Sequence, residues 1–368
     1  MSLHKCKLGE LITQRREKNK DNNLPISGVS KEGLIPPKQK DADISLYNVF
    51  YYGDFIFNPA RMELNSIAYN DKFERAICSS LYEVFYVNRN EIILPEYLAL
   101  IVKQDWFTRY CEFLGQGSAR EYCRFANISE IEIEFPDIET QKKIVHCYQI
   151  IRRRIALKQK INDNLSSTLN ELYRNFFTVD NTNELPEGWR IVPFSEIATV
   201  VMGQSPEGDY CNNEQIGEPL LNGPTEFGNY SPKPVQWTTD GKKYCNKGDI
   251  LFCVRGSTTG RMNWADQRYV IGRGLAAIRH KSNLSLNWYI KAILDNYLRD
   301  ILSAATGSTF PNVGKDLLNG FKIVIPDESS LSLFSEKGTQ ISALIASNSK
   351  EIDKIEALKE LLLYRLSC

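Results

Sequence analysis

The clearest pattern of apolar and polar positions covers residues 138–177. This stretch has no proline or glycine, and its apolar residues recur at steps of three and four, which places them on one helix face. About 40 residues at ~1.5 Å each predict a helix ~60 Å long, too long for the interior of a compact domain. The face consists of Ile144, Tyr148, Ile151, Ile155, Leu165, Leu169, Leu172 and Phe176, interrupted by Lys158 and Asn162.

A second pattern of the same kind ends the chain. Its face consists of Ile341, Ile345, Asn348, Ile352, Ile355, Lys359, Leu362 and Leu366. Two such helices either bury these faces against each other in a coiled coil or pack separately on their neighbouring domains. The two faces match in length and character, which favours the coiled coil.

Polar residues interrupt both helix faces. Lys158, Asn162, Asn348 and Lys359 are either tolerated, with the lysine stems reaching solvent, or set the register of an antiparallel pair. In such a pair the middle of one helix meets the middle of the other. The basic run 152–154 is read either as a solvated face or as a contact with phosphate or a partner.

The stretches before the two helices look like copies of one unit. Gly53-Asp54-Phe55 corresponds to Gly248-Asp249-Ile250, and Phe135-Pro136-Asp137 corresponds to Ile325-Pro326-Asp327. The order of the motifs is kept, and each copy ends in an apolar strand, a proline and a long helix. The predicted boundaries are 1–136 for copy one, 137–183 for the first helix and linker, 184–328 for copy two and 329–368 for the second helix.

Both copies are predicted to consist mainly of short strands between turn residues. The clearest predicted strands are 82–87, 131–135, 250–254 and 321–325. One helix is predicted in each copy, at 95–114 and at 286–302. The fold class is therefore α+β, with two similar mixed α/β domains and two long helices.

Composition narrows the function only slightly. The 368 residues include 45 Lys+Arg and 45 Asp+Glu, so any DNA-facing surface must come from local clustering of charge. There is no secretory signal and no run of 18 apolar residues. The nine cysteines include no C-x-x-C pair, which indicates reduced thiols and a cytoplasmic protein.

Over nearly its whole length the chain resembles the specificity subunit of type I restriction-modification systems. In copy two the resemblance is carried by Leu185-Pro186-Glu187-Gly188-Trp189, Gly203-Gln204-Ser205-Pro206, Lys247-Gly248-Asp249-Ile250-Leu251, Arg255-Gly256-Ser257-Thr258-Thr259-Gly260, Ile271-Gly272-Arg273-Gly274 and Thr306-Gly307-Ser308-Thr309. In copy one it is carried by Tyr52-Gly53-Asp54-Phe55, Phe57-Asn58-Pro59-Ala60-Arg61, Cys78-Ser79-Ser80-Leu81-Tyr82 and Gly115-Gln116-Gly117-Ser118-Ala119-Arg120.

Copy one departs from copy two in two respects. It lacks the Leu-Pro-x-Gly-Trp motif, and Asn58-Pro59-Ala60-Arg61 stands where copy two has its Gly-Ser-Thr-Thr-Gly loop. The two copies are therefore expected to share a fold and to read unrelated DNA sequences.

The resemblance implies two target recognition domains, each reading one half of a bipartite DNA site, held apart by an antiparallel helix pair. It implies two methylase subunits as partners, with two nuclease-translocase subunits where a nuclease is present. Adenine N6 methylation would be done by those partners, which would flip the base out of the duplex. S-adenosylmethionine, ATP and Mg²⁺ are accordingly expected on the partners, and no cofactor or metal on this chain.

DNA reading needs bidentate side chains at base edges and donors at phosphates. Loop residues of these types cluster around the motifs, although Gly, Ser and Thr also build turns and some arginines pair with acids. The candidates in copy one are Ser30, Lys31, Arg61, Asn65, Ser79, Gln116, Ser118 and Arg120. The candidates in copy two are Gln204, Ser205, Asn222, Arg255, Ser257, Thr258, Arg261, Arg273, Ser308 and Lys315.

Enzymatic readings find little support in the sequence. Asn58-Pro59-Ala60-Arg61 lacks the second proline and the aromatic residue of the amino-methyltransferase motif, and no phosphate-binding Gly-Lys-Ser/Thr is present. The three histidines, His4, His146 and His280, are far apart in sequence. Two alternatives stay open: a coiled-coil adaptor that binds only proteins, and the recognition module of a fused restriction enzyme-methylase, which requires several hundred further residues.

Overall fold

The computed structural model describes residues 3–21, 23–37, 43–115, 122–177, 185–307 and 311–365. The chain divides into two units. The first comprises Met1–Ile155 and Lys354–Cys368, and the second comprises Ala156–Asp353. Each unit therefore contains one globular part and a portion of each long helix, which differs from the four consecutive segments expected from the sequence.

The first unit is built around a four-stranded antiparallel sheet. The strands of the first unit are β1 (His4–Lys7), β2 (Ile12–Arg15), β3 (Gly28–Ser30), β4 (Gly33–Ile35), β5 (Asn48–Tyr51), β6 (Phe55–Phe57), β7 (Ile67–Tyr69), β8 (Arg75–Cys78), β9 (Glu83–Val87) and β10 (Glu132–Phe135). Its helices are α1 (Pro95–Ile101), α2 (Asp105–Gly115), α3 (Phe125–Ser129) and the first part of α4 (Ile138–Phe177). The central sheet has the order β2-β9-β6-β7, and β1–β10, β3–β4 and β5–β8 form separate pairs.

Both faces of this sheet are buried. Phe55, Phe57 and Phe85 lie in one apolar cluster with residues of α1 and α2, while Ile56 and Val84 lie in a second cluster. The alternation of side chains along a strand sends neighbours to opposite faces. The uninterrupted apolar sequence of β6 follows from burial on both sides.

The second unit repeats this plan. Its strands are β11 (Arg190–Pro193), β12 (Ala198–Met202), β13 (Cys211–Asn212), β14 (Glu218–Leu221), β15 (Gln236–Thr238), β16 (Tyr244–Cys245), β17 (Ile250–Cys253), β18 (Met262–Trp264), β19 (Tyr269–Ile271), β20 (Leu275–His280) and β21 (Lys322–Ile325). Its helices are α5 (Asn287–Asn296), α6 (Leu298–Ser303), α7 (Lys315–Gly320) and part of α8 (Glu328–Arg365). The main sheet has the order β12-β20-β17-β18, and a five-stranded sheet has the order β13-β15-β14-β19-β16.

The two four-stranded sheets are equivalent strand by strand. In the first, Phe55 of β6 lies opposite Phe85 of β9; in the second, Ile250 of β17 lies opposite Ile278 of β20. Outside each four-stranded sheet, the first and the last strand of each copy pair with each other: β1 pairs with β10, and β11 pairs with β21. The repeat and the α+β class predicted from the sequence are confirmed.

A buried aspartate follows glycine at the start of β6 and of β17. Asp54 accepts a hydrogen bond from Tyr51 N (2.8 Å) and Asp249 accepts one from Asn246 N (2.7 Å), so each carboxylate closes the same turn. Burial raises the pKa of both carboxyl groups. A buried charge needs a partner, and each aspartate has an arginine.

The arginine comes from a different strand in each unit. Arg15 on β2 binds Asp54 through Nε (2.7 Å) and Nη2 (3.1 Å), and its guanidinium also lies over the Tyr86 ring of β9. Arg279 on β20 binds Asp249 through Nη2 (2.6 Å). When the strand registers of the two sheets are compared, Arg279 on β20 occupies the position of Tyr86 on β9. Val201 on β12 occupies the position of Arg15 on β2.

An aspartate precedes each long helix at the same place in the repeat. Asp137 accepts hydrogen bonds from Thr140 N (2.9 Å) and Thr140 Oγ1 (3.0 Å). Asp327 accepts from the backbone and hydroxyl groups of Ser329 and Ser330 and from Trp189 Nε1. These bonds lower the pKa of both carboxyl groups and satisfy backbone donors at the helix start. The Pro-Asp motif therefore fixes where each helix begins.

Within the second unit α4 and α8 run antiparallel. Phe177 contacts Phe334 at a ring-centroid distance of 4.7 Å, while Lys158 Nζ donates to Asn348 Oδ1 (3.0 Å) and binds Glu351 (2.8 Å). Asn348 also donates to Asn162 Oδ1 (3.0 Å), so polar interruptions of the two faces meet each other. The antiparallel coiled coil is confirmed, and register setting by these residues stays a prediction.

The helix faces follow the predicted spacing. Residues of the two faces are buried or half-buried, whereas Leu157, Ile161, Leu344, Leu358 and Leu361, which lie off these faces, are exposed. The faces comprise Ile144, Ile151, Ile155, Lys158, Asn162, Leu165, Leu169 and Leu172 on α4, and Ile341, Ile345, Asn348, Ile352, Ile355, Lys359 and Leu362 on α8. Leu366 lies outside the described residues.

The helices also pack on the globular parts, so the two alternatives for their packing coexist. Leu169 and Phe334 belong to the apolar cluster of the second unit, and Ile144 packs on that of the first. In the first unit the end of α8 lies beside α2, where Trp106, Tyr110 and Leu363 line a common cavity.

The two shorter predicted helices are each broken. Residues 95–114 form α1 and α2, and residues 286–302 form α5 and α6. The first break lies at 102–104, where the side chain of Lys103 turns inward and donates to Ile67 O (2.6 Å) and Lys31 O (2.8 Å). The prediction of single helices was therefore wrong. Neither break is marked by a proline or a glycine that could have signalled it in the sequence.

We expect Gly338→Ala to destabilise the second unit, although alanine is the better helix former. A Cβ at position 338 of α8 would lie 2.3 Å from the Trp288 ring. The helix-propensity gain of ~1 kcal/mol is outweighed by a clash that costs about 1–3 kcal/mol. Urea denaturation followed by tryptophan fluorescence measures the change, and a stabilised variant would contradict the packing.

Candidate nucleic-acid interface

The candidate residues of the second unit gather at one end of its four-stranded sheet. At this end β12 and β17 finish, at Met202 and Cys253, and β20 and β18 begin, at Leu275 and Met262. The loops that leave these strand ends carry Gln204, Ser205, Arg255, Ser257, Thr258, Arg261 and Arg273. We call this set, with Lys315, the reading edge of the second unit.

Backbone hydrogen bonds hold the loops of the reading edge together. Gln204 N donates to Ile271 O (2.9 Å), and Arg273 N donates to Ser205 Oγ (3.2 Å). Val254 N donates to Gly274 O (2.9 Å), which joins the loop of Arg255 to that of Arg273. The side chains are thus presented from a fixed backbone.

Glycine makes the closest approach possible. A Cβ at Gly203 would lie 2.2 Å from the carbonyl oxygen of Gly272, which backbone atoms cannot relieve. Any other residue would push the loop after β12 away from the loop before β20. The glycines of the family motifs are therefore explained by packing, while the polar residues beside them remain on the surface.

The reading edge is cationic although the chain is neutral overall. Arg255, Arg261, Arg273 and Lys315 are exposed, and none of them forms an ion pair among the described residues. Lys315 begins α7 and is placed beside Arg255 because Val313 N donates to Val254 O (2.9 Å). Unpaired arginines clustered at one edge are typical of a phosphate- and base-contacting surface.

A further candidate of this unit, Asn222, adjoins the reading edge. Asn222 is exposed at the end of β14, and its Nδ2 donates to Gln236 Oε1 (2.7 Å). It leaves an amide oxygen beside Gly272, which adjoins the reading edge. Ser308 lies outside the described residues.

The first unit has its candidates at the equivalent end of the sheet. There β6 finishes at Phe57, followed by Arg61, and β9 begins at Glu83, preceded by Ser79. Arg61 and Ser79 line a common cavity of about 550 Å³. Gln116, Ser118 and Arg120 lie outside the described residues.

Ser30 and Lys31 lie at the turn of the β3–β4 hairpin. Ser30 Oγ donates to Glu32 (2.7 Å), and Lys31 is exposed. Lys103 Nζ joins Lys31 O to Ile67 O at the start of β7, so the hairpin turn is held near the same sheet end.

Asn65 does not fit a base-reading role, which corrects the sequence-based prediction. Its side chain is buried and donates to Val102 O (2.8 Å) and Thr108 Oγ1 (2.7 Å), while its oxygen accepts from Lys103 Nζ (3.1 Å). Burial lowers the pKa of Lys103 to about 8. With φ of 51°, Asn65 also occupies the left-handed conformation that asparagine tolerates well. Its role is therefore structural.

The structure adds residues that the sequence analysis missed. Leu81, Tyr82, Glu83, Tyr122 and Arg124 line the same cavity as Arg61 and Ser79. Tyr122 and Arg124 come two and four residues after the Gly-Gln-Gly-Ser-Ala-Arg motif, and that proximity was the available signal. No spacing in the sequence connects them with Leu81.

Two kinds of feature are absent from the described ranges. Within them no group of three or more His, Cys, Asp and Glu side chains is arranged to hold a metal ion. Within them, too, none of the helices is both long and apolar enough to span a membrane.

Comparison with known proteins identifies the class. A family model described as "Type I restriction modification DNA specificity domain" matches residues 7–167 and 186–357, once for each unit's globular part. The chain therefore belongs to the family of type I restriction-modification specificity subunits.

Individual relatives span most of the chain. The putative type I restriction enzyme MjaX specificity subunit of Methanocaldococcus jannaschii is 26% identical over 97% of this chain and 86% of its own length. The HindI specificity subunit of Haemophilus influenzae is 19% identical over 85% of each chain. The crystal structure of a type I S subunit from M. genitalium covers 99% of this chain and 96% of its own with a TM-score of 0.59 and 13% identity, which shows a shared fold.

Proposed function

We propose that this chain is the non-catalytic, DNA-reading subunit of a type I restriction-modification complex. Each globular part reads one half of a bipartite site. The observation that carries the proposal is the cationic reading edge of the second unit, where four exposed cations have no ion pair among the described residues of an otherwise neutral chain. The equivalent sheet end of the first unit carries Arg61 and the cavity.

The chemistry is assigned to partner subunits. Two methylase subunits dock on this chain and transfer a methyl group from S-adenosylmethionine to adenine N6, and nuclease-translocase subunits that use ATP and Mg²⁺ join where present. In this proposal the side chains of the present chain hold the duplex, and they take no part in bond making. Family membership supports this division of labour.

DNA binding with a steep salt dependence tests the proposal. Phosphate contacts release counterions, so the affinity of the purified chain for duplex DNA should fall by ~10³-fold or more between 50 and 200 mM salt if six or more phosphates are contacted. Fluorescence anisotropy at stated salt concentrations measures this. A coiled-coil adaptor would show no saturable DNA binding, and methyl transfer by the isolated chain would contradict the non-catalytic assignment.

A further inference from the structure

A cavity opens at the sheet end of the first unit that carries Arg61 and Ser79. Its volume of about 550 Å³ lies in the range of small-molecule sites. The base edges and phosphates of a DNA duplex are contacted from its surface, whereas a cavity can enclose a single base that has left the stack. The cavity therefore calls for a ligand part that projects from the duplex or is free of it.

The walls suit a planar base with an attached phosphate. Tyr82 and Tyr122 supply aromatic surface, and the Arg124 guanidinium lies 5.5 Å from the centre of the Tyr122 ring. Arg61 stands at the rim and is exposed. Aromatic rings stack on nucleobases, and arginines at the rim bind phosphate.

The wall also holds a fixed carboxylate. Glu83 Oε2 accepts from Phe125 N (2.7 Å) and Gln14 Nε2 (3.2 Å), so the side chain cannot swing away. Its other oxygen lies 3.8 Å from an Arg124 nitrogen. A carboxylate is the acceptor that matches an exocyclic amino group, so adenine, cytosine or guanine fits better than thymine.

Leu81 supplies an independent observation. It borders the cavity and the residue is 79% exposed, the most exposed of the chain's described large apolar residues. Ser79 Oγ accepts from Leu81 N (3.3 Å) and shapes the turn that presents it. Apolar side chains of this kind enter the base stack and occupy the gap where bases separate. Base displacement requires an apolar side chain that fills the gap in the stack and a cavity that receives the base. Leu81 and the adjacent aromatic cavity supply these two features.

We propose that the cavity of the first unit binds one amino-bearing nucleobase with its phosphate, displaced from the DNA half-site while Leu81 fills the vacated stack. This rests on the proposed function. The base is held by this chain and is distinct from the adenine that the methylase subunits would modify. A free mononucleotide presents the same chemistry, so the test separates the two sources.

The effect of a mismatch on the DNA-binding affinity should have opposite signs at different positions of the half-site. Unpairing costs least at a mismatch, so a mismatch at the displaced base should tighten binding by the full chain about tenfold or more. Mismatches elsewhere in the half-site should weaken it by about 5- to 100-fold. 2-Aminopurine at the displaced position should change its fluorescence on binding, because the base leaves the DNA stack for the tyrosine-lined cavity. Leu81→Ala should abolish both effects, whereas Leu46→Ala, which truncates a 60% exposed leucine that does not line the cavity, should retain them.

Titration of the full chain with AMP, CMP and GMP tests a free mononucleotide as the alternative ligand of the cavity. Saturable binding that Arg61→Ala weakens, without any tightening by mismatches, assigns the cavity to a free nucleotide. If every mismatch weakens binding and no nucleotide binds, the inference is overturned while sequence-specific DNA binding still supports the proposed function. Absence of any sequence-specific DNA binding would instead overturn the proposed function itself.

Discussion

Replacing Arg279 by alanine is expected to destabilise the second unit by about 3–5 kcal/mol. Asp249 is fully buried, and the Arg279 guanidinium is its charged partner among the described residues. Without that partner an ionised carboxylate is left in the core, which is far more costly than losing a surface ion pair. Four of the five tryptophans (Trp189, Trp237, Trp264 and Trp288) lie in the second unit, so fluorescence during urea denaturation reports its unfolding.

The first unit shows how the lost arginine can be replaced from another strand. Arg279→Tyr with Val201→Arg would copy the arrangement of Arg15 and Tyr86 and should recover at least half of the lost stability. Val201→Arg alone should bring no gain, because one aspartate then faces two arginines. A double-mutant cycle measures the coupling, and a double variant no more stable than Arg279→Tyr would show that the strand equivalence does not extend to side-chain chemistry.

The second large effect concerns the division of reading between the units. Arg255→Ala or Arg273→Ala should relax or abolish recognition of one half-site, and Arg61→Ala should affect only the other. Arg120→Ala is expected to act with Arg61, although Arg120 lies outside the described residues. Each lost bidentate contact costs about 1–3 kcal/mol, or ~5- to 100-fold in affinity. The measurement is the methylated motif of a strain that expresses the variant with its methylase subunits, read by modification-aware sequencing.

Matched controls exist at the opposite sheet ends. Arg89 follows β9 and Lys281 follows β20, both are exposed, and both lie away from the candidate residues. Arg89→Ala and Lys281→Ala should leave the methylated motif unchanged. If Arg255→Ala instead altered the half-site assigned to Arg61, the model of one reader per unit would be wrong.

The sequence predicted features that depend on local repetition. The 3.6-residue period predicted both long helices. The repeated Gly-Asp and Pro-Asp motifs predicted the two copies, because the aspartate of each motif bonds to backbone groups of its own turn or of the helix that follows it. The Arg15–Asp54 and Arg279–Asp249 pairs could not be matched in this way, since their arginines lie on non-equivalent strands. Such pairing depends on the sheet register, which residue spacing alone does not determine.

The candidate site was predictable by location more than by residue. Glycine and serine motifs marked the loops at the strand ends. Asn65 was misassigned because asparagine is as well suited to a left-handed cap as to an adenine edge. The cavity at Leu81 and Tyr122 is assembled from segments about 40 residues apart, so its existence depends on the tertiary fold.

The first unit is built from both ends of the chain, whereas the second is one continuous segment. During synthesis from the amino terminus, residues 156–353 can complete their unit before the last helical turns exist. The first unit must wait for residues 354–365, whose Leu363 and Tyr364 line a cavity together with residues of α2. The domain that leaves the ribosome first is therefore the one that is finished last, and a chain shortened by those final turns would carry an intact second unit beside an incomplete first one.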